Sequence, residues 1–194
     1  MSTVYSKEES LTHYPINNGW LSVAEIHHSP HFEERNHDEA VSLLVVHNIS
    51  LPPGKFGGSH ITDFFMGKLD PRLDPYFEKI YQMRVSAHCL IKRTGEIVQF
   101  VSFDNKAWHA GVSIYQGREK CNDFSIGIEM EGTDDIAYTK AQYQQLARVT
   151  ASLARIYPNL IKNIVGHCDI APGRKTDPGA SFDWKAFRQL LSCE

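Results

Sequence analysis

Two histidines in this 194-residue chain each close an apolar run. His47 follows Val41-Ser42-Leu43-Leu44-Val45-Val46, and His167 follows Asn163-Ile164-Val165-Gly166. The glycine- and proline-rich stretch after His167 carries Lys175 and Asp177 two residues apart. Two imidazoles and one carboxylate make a three-donor zinc set that leaves a fourth position for water. The carboxylate has two candidates, because Asp169 competes with Asp177. Asp169 lies two residues after His167 and equally suits an Asx-type hydrogen bond that caps the turn. Lys175 is placed to stabilise negative charge developing on a reacting carbonyl oxygen. Glu129 lies at the end of an otherwise apolar run, where a carboxylate needs a reason to be tolerated. It reads as a general base, against the plainer alternative of a solvated strand end. Together these residue types suggest a metal-assisted hydrolase.

Residues so far apart in sequence need secondary structure to bring them together. Residues 41–46 are continuously apolar and rich in β-branched side chains, the pattern of a strand buried on both faces. Residues 86–92 and 96–101 flank Arg93-Thr94-Gly95 and read as a hairpin. In residues 124–130, Ile126 and Ile128 alternate with Gly127 and Glu129, a further strand. His47, Glu129 and His167 thus fall at or near the C-terminal ends of expected strands, the edge where ligands gather in open α/β sheets. Asp74-Pro75 reads as an N-cap and first helical proline, opening a helix over 75–84 with Phe77, Ile80 and Tyr81 on one face. Thr139 and Gln142 form a capping box. The helix behind it has its stripe at Tyr143, Leu146, Ala147, Thr150, Leu153 and Ala154 and stops before Pro158. Residues 183–191 read as a short capped helix with Trp184, Phe187 and Leu191 inward. Strands and helices interleave around one hairpin, which predicts a single α/β domain with a mixed central sheet flanked by helices.

Hydrophobic residues make up 42% of the chain and charged residues 22%, ordinary values for a soluble globular protein. A net charge of -3 gives no electrostatic case for nucleic acid or an anionic membrane. The first ten residues are polar, with no apolar segment of the signal-peptide kind, and no run is long enough to span a membrane. The four cysteines, Cys89, Cys121, Cys168 and Cys193, show no C-x-x-C spacing. Free thiols in a reducing cytosol are the expectation. Residues 1–40 read as an irregular, partly mobile arm. Its histidines (His27, His28, His31, His37) lie among Glu33, Glu34 and Arg35 and are expected to be solvated. The punctuated region 50–72 reads as a flap. Trp108 offers a platform for the face of a sugar ring, with His109 beside it. Arg84 and Asn48 are candidates to engage a substrate's carboxylate or amide groups.

Taken together, several segments resemble the zinc-dependent N-acetylmuramoyl-L-alanine amidases, which share a peptidoglycan-recognition-like fold. They are Val45-Val46-His47-Asn48, Arg84-Val85-Ser86-Ala87-His88, Ala107-Trp108-His109-Ala110-Gly111, Ser125-Ile126-Gly127-Ile128-Glu129, Gly166-His167-Cys168-Asp169 and Arg174-Lys175-Thr176-Asp177-Pro178-Gly179. The similarity covers residues 17–191 and is closest to the cytosolic members that act on anhydro-muropeptides in wall recycling. It implies one zinc ion per chain on His47, His167 and Asp177, with Glu129 and Lys175 as the catalytic pair. It also implies a catalytic or substrate-contacting role for Tyr76, which completes a candidate substrate-facing set of Asn48, Tyr76, Arg84, Trp108 and His109. The implied reaction is hydrolysis of the amide between the lactyl group of 1,6-anhydro-N-acetylmuramic acid and L-alanine. The expectation is a monomeric catalytic domain over 17–194, a cytoplasmic location and an irregular extension over 1–16. A muropeptide-binding module without catalysis and an exported amidase are the rival readings.

Overall fold

The computed structural model of the chain describes residues 13–36 and 38–192. Four short strands come first: β1 (Ile16–Asn17), β2 (Trp20–Leu21), β3 (Glu25–Ile26) and β4 (Phe32–Glu34). The long strand β5 (Leu43–Ile49) follows, then helices α1 (His60–Phe65) and α2 (Phe77–Ile80). Next are β6 (Cys89–Ile91), β7 (Ile97–Gln99), β8 (Asn105–Ala107) and a two-stranded ribbon of β9 (Ile114–Tyr115) and β10 (Arg118–Glu119). The second long strand, β11 (Ser125–Glu131), leads into α3 (Lys140–Ile156), β12 (Ile164–Gly166), α4 (His167–Ile170) and α5 (Trp184–Leu191).

The central sheet has six strands in the order β12-β5-β11-β6-β7-β3. The four strands from β12 to β6 run parallel, and β7 turns back antiparallel to β6. The sheet is therefore mixed and flanked by helices, as the interleaved pattern predicts. The hairpin closes at Gly95, whose φ of 91° lies in the region that favours glycine.

Alternation along β5 and β11 divides the molecule into two faces. Leu44 and Val46 of β5, with Ile126, Ile128 and Met130 of β11, join the main core beneath Leu146, Ala147, Val149 and Leu153 of α3. Phe187 of α5 is fully buried in the same cluster, with Trp184 and Leu191 half-buried at its edge. Leu43 and Val45 point the other way and pack with Ala110, Phe124 and Ile170. The capping box forms as expected: the Gln142 amide donates to Thr139 Oγ1, and the Gln142 side chain accepts from the Thr139 amide.

Two expectations are corrected. Residues 13–36 are not a loose arm. Tyr14 donates to Gln145 of α3, Ile16 packs against the core, and β3 becomes the sheet's outer strand. Residues 1–12 and His37 lie outside the described residues. The helix expected over 75–84 shrinks to the single turn of α2, and Tyr81 is exposed. Here the Asp74 carboxylate accepts from the Tyr76 amide just ahead of the turn, and no side chain caps α2. Region 50–72, read as a flap, contains α1, whose Ile61, Phe64 and Phe65 form a second core with Phe77 and Phe100. Exposure is concentrated in residues 53–59, where Glu131 at the end of β11 holds the Gly57 amide.

Thr139 Oγ1 also donates to the Arg93 carbonyl, so one hydroxyl ties the start of α3 to the hairpin turn. Thr139→Ala is expected to lower the unfolding free energy by about 1–2 kcal/mol. Urea unfolding would read this as a lower midpoint at unchanged slope.

Candidate active site

Strand register assembles the site. Glu129 of β11 pairs with His47 of β5, and Gly166 of β12 pairs with Val46. Neighbouring parallel strands in register present paired residues to the same face. His167, the residue after Gly166, thus falls beside His47, and Glu129 lies on its other side. Asp177 arrives from the loop after α4. That loop is pinned where the Cys168 amide donates to the Asp177 carbonyl and the Tyr138 hydroxyl donates to the Pro178 carbonyl.

Three atoms converge at the C-terminal edge of the sheet. His47 Nδ1 lies 3.0 Å from His167 Nδ1, and each of these nitrogens lies 3.1 Å from Asp177 Oδ2. A tetrahedral ion bound at about 2.0–2.1 Å separates its ligand atoms by roughly 3.3 Å. The observed spacing and the two-nitrogen, one-carboxylate donor set both fit zinc. Asp169 is used elsewhere: its carboxylate reaches back to accept from the Gly166 amide at 2.7 Å, capping the start of α4 rather than forming an Asx-type turn. Cys168 is half-buried, and its thiol is pushed up by burial.

The electrostatics suit a cation. Burial lowers the His47 pKa to about 4, so the imidazole is neutral at pH 7 and its lone pair is free for metal. Burial works to raise Asp177, but the two imidazoles beside it outweigh burial and hold the carboxylate well below its usual range. Glu129 goes the other way. Burial first, and the Asp177 charge second, push it well above the ordinary carboxylate value, with Lys175 opposing. Its Oε2 is buried with no hydrogen-bond partner. A carboxyl shifted this way holds a proton more firmly than an ordinary one, which suits a group that must take a proton and later pass it on. Lys175 is solvent-exposed on the 171–179 loop, and its charge is felt at both His47 and Glu129.

The five residues expected to face substrate divide. Tyr76 and Arg84 are exposed. Trp108 is half-buried, with His31 stacked on it at a ring separation of 6.0 Å. Asn48 donates to Asp134 at 2.7 Å and so braces the wall of the site. His109 turns inward: Nδ1 lies 2.9 Å from His47 Nε2, and Nε2 lies 3.1 Å from Ser125 Oγ. Both of its ring nitrogens are therefore engaged within the protein.

Several supporting residues carried no signal of their own in the sequence. The Ala110 carbonyl faces His167 Nε2 at 3.0 Å and accepts from Arg174 at 2.7 Å. Asn122 accepts from the amides of both His109 and Ala110. Arg35, grouped with solvated neighbours on sequence, is instead half-buried and donates to the carbonyls of Asn122, Asp123 and Ser125. Beside the site, a groove of about 670 Å³ is lined by residues including Val112, Ile114, Ile170 and Arg174.

The pattern of the family described as N-acetylmuramoyl-L-alanine amidase matches residues 37–180. The chain belongs to this amidase family. It is 63% identical over 179 residues to the 1,6-anhydro-N-acetylmuramyl-L-alanine amidase AmpD of Escherichia coli (strain K12), covering 92% of this chain and 98% of that protein. It is 56% identical over 173 residues to the AmpD of Haemophilus influenzae, covering 89% of this chain and 94% of that one. A crystal structure of a selenomethionine AmpD derivative superposes with a TM-score of 0.90 at 63% identity, covering 92% of this chain and 99% of the other. More distantly, E. coli AmiD in complex with the substrate anhydro-N-acetylmuramic acid-L-Ala-D-gamma-Glu-L-Lys superposes with a TM-score of 0.57 at 27% identity. That match covers 81% of this chain and 60% of the AmiD chain.

The buried imidazoles of this amidase make its stability depend on pH. Burial lowers His47 to about 4 and His88 to about 3, and lowers His109 well below 6.5. The unfolded chain takes up these protons below 6.5, whereas the folded state resists them until much lower pH. Stability from this source is therefore complete above 6.5 and is lost as the pH falls towards 4. The raised Glu129 works in the opposite direction, one group against three. The urea midpoint of metal-free protein is expected to fall between pH 6.5 and pH 4. A midpoint that rose on acidification would show that these imidazoles are not buried as neutral groups.

Proposed function

We propose that this chain hydrolyses the amide between the lactyl group of 1,6-anhydro-N-acetylmuramic acid and L-alanine in muropeptides, with zinc held by His47, His167 and Asp177, in the recycling of wall fragments in the cytoplasm. The observation that carries the reading is the convergence of three donor atoms within 3.1 Å of one another, beside a buried carboxyl. This occurs in a chain whose family cleaves this class of amide. The 63% identity to a protein named for the anhydro-sugar substrate supports the finer specificity.

When bound, zinc supplies Lewis acidity for the attacking water and the amide carbonyl. Glu129 takes a proton from the water as its oxygen adds to the lactyl carbonyl. Its raised pKa lets it keep that proton until the carbon–nitrogen bond breaks, and then deliver it to the departing alanine nitrogen. Lys175, exposed at the rim, offers its ammonium to the oxyanion that develops on the carbonyl. The products are the anhydro-sugar with a free lactyl carboxylate and the peptide with a free amine. Tyr76, Arg84 and Trp108 remain the candidates to hold the substrate.

The test is incubation with an anhydro-muramyl tripeptide followed by mass spectrometry, with a chelated sample in parallel. Release of peptide and anhydro-sugar, abolished by chelation and restored by zinc, is the expected result. An intact substrate on zinc-loaded protein would favour a muropeptide-binding module. Glu129→Ala is expected to lose about 10²–10⁴ in turnover while retaining zinc. Asp177→Ala is expected to lose zinc itself, and unchanged metal content there would return Asp169 to consideration.

A further inference from the structure

Ser125, Gly127 and Glu129 share one face of β11, the face opposite α3. Glu129 belongs to the proposed chemistry; Ser125 and Gly127 have no role in it. Between them lies the ring of His109. A Cβ on Gly127 would collide with Cγ and Nδ1 of that ring, so the strand carries glycine where the imidazole passes.

Proton accounting gives the contacts a direction. Ser125 Oγ lies 2.6 Å from the Cys121 carbonyl, which can only accept, so the single hydroxyl proton is committed there. Toward His109 Nε2, at 3.1 Å, the hydroxyl can then only accept, and His109 carries its proton on Nε2. A neutral imidazole has one N–H, so His109 Nδ1 is a bare acceptor. It faces His47 Nε2 at 2.9 Å, and His47 must be the donor. That leaves His47 Nδ1 with a lone pair directed at His167 and Asp177. The reverse direction would place a proton on His47 Nδ1, where a metal would need the lone pair. His167 reaches the same state in one step, because its Nε2 donates to the Ala110 carbonyl.

We propose that Ser125 and His109 are positioning residues that fix His47 as its Nε2–H tautomer, and that Gly127 is the opening in the sheet that admits them. The Cys121 carbonyl is the fixed end of the relay, and His47 Nδ1 is its output. The segment His109–Ala110 thereby sets the tautomer of both histidine donors, one through a side chain and one through a carbonyl. Asn122 holds it in place through both amides. The relay itself concerns the metal-free protein. Its consequence for zinc rests on the reading of His47, His167 and Asp177 as ligands.

The experiment uses metal-free full-length protein and long-range proton–nitrogen NMR correlations of the histidine rings, which distinguish the two tautomers. Zinc affinity is then measured by chelator competition. The parent is expected to show His47 as the Nε2–H form. Ser125→Ala, which removes only a hydroxyl, should give a mixture of tautomers at His109 and His47. Ser125→Ala and His109→Leu should each weaken zinc binding by about 10- to 100-fold. His109→Asn, whose side-chain oxygen can take the place of Nδ1 as acceptor, should recover most of that affinity; a purely space-filling role for His109 would instead favour Leu. If His109→Leu does not fold, the tautomer spectrum of Ser125→Ala still decides. His47 held wholly as Nε2–H in Ser125→Ala, with zinc affinity within about twofold of the parent, would overturn the proposal. A parent that shows the tautomer but binds no zinc would instead overturn the metal reading and leave the relay standing.

Discussion

The in-register pairing of three parallel strands is the constraint on which the rest of this molecule depends. With β12, β5 and β11 side by side, about 4.8 Å apart, residues at matched positions become neighbours across the sheet. His47 and His167 lie 120 residues apart along the chain with Glu129 between them, yet the three form a short row at one edge. What holds the register is the opposite face. Leu44 and Val46 with Ile126, Ile128 and Met130 are buried beneath α3. A slip of one residue would turn those side chains toward the site and turn His47 and Glu129 into the core. The apolar pattern that folds the protein is thus the same device that aligns its chemistry.

Charge at that edge is arranged by depth. The imidazoles of His47 and His109 are buried and kept neutral, and Glu129 is buried and biased toward its protonated form. Asp177 is the exception, held ionised where the loop meets the two histidines. Lys175 stays in water at the rim. A site with one committed negative charge, two imidazole donors and a buried carboxyl has a place for a divalent cation. The His47 Nδ1, His167 Nδ1 and Asp177 Oδ2 atoms lie about 3 Å from one another. The structure keeps them together through groups outside the cluster: Ala110, Asn122 and Arg174 on one side, Tyr138 and the Cys168 amide on the other.

Features written in local pattern were legible in the sequence. The continuous apolar run of β5, the alternation in β11 and the capping box before α3 each depend on residues within a few positions of one another. So did the pairing of strand ends with His47, Glu129 and His167. What was not legible depended on direction or on distant partners. Trp108-His109 has the composition of a sugar platform, and nothing in its residue types says that the histidine turns inward onto Gly127. Arg35 lies among glutamates and looks solvated, yet carbonyls some ninety positions later draw it in. The strands of residues 16–34 are two or three residues long, too short to show a period, so an ordered edge of the sheet read as an arm. By residue type alone Asp169 competed with Asp177 as a ligand, and only its bond to the Gly166 backbone amide sets it apart.

Ser125-Ile126-Gly127-Ile128-Glu129-Met130 shows how tightly these demands can be superposed. On one side, Ile126, Ile128 and Met130 are wholly buried and supply core volume. On the other, each position is limited by a different neighbour. Ser125 must be small and carry a hydroxyl, because it lies between the Cys121 carbonyl and the His109 ring. Gly127 must lack a side chain, because the ring occupies that space. Glu129 must be a carboxyl long enough to reach past the backbone, yet dry enough to hold a proton. Glycine weakens a strand interior by removing a packing side chain and raising the entropy lost on folding. Here that loss is offset by seven residues of parallel pairing with β5 and by the apolar face beneath α3. A central strand can carry a glycine in its middle when both its edges and one of its faces are already committed, and that is the condition β11 meets.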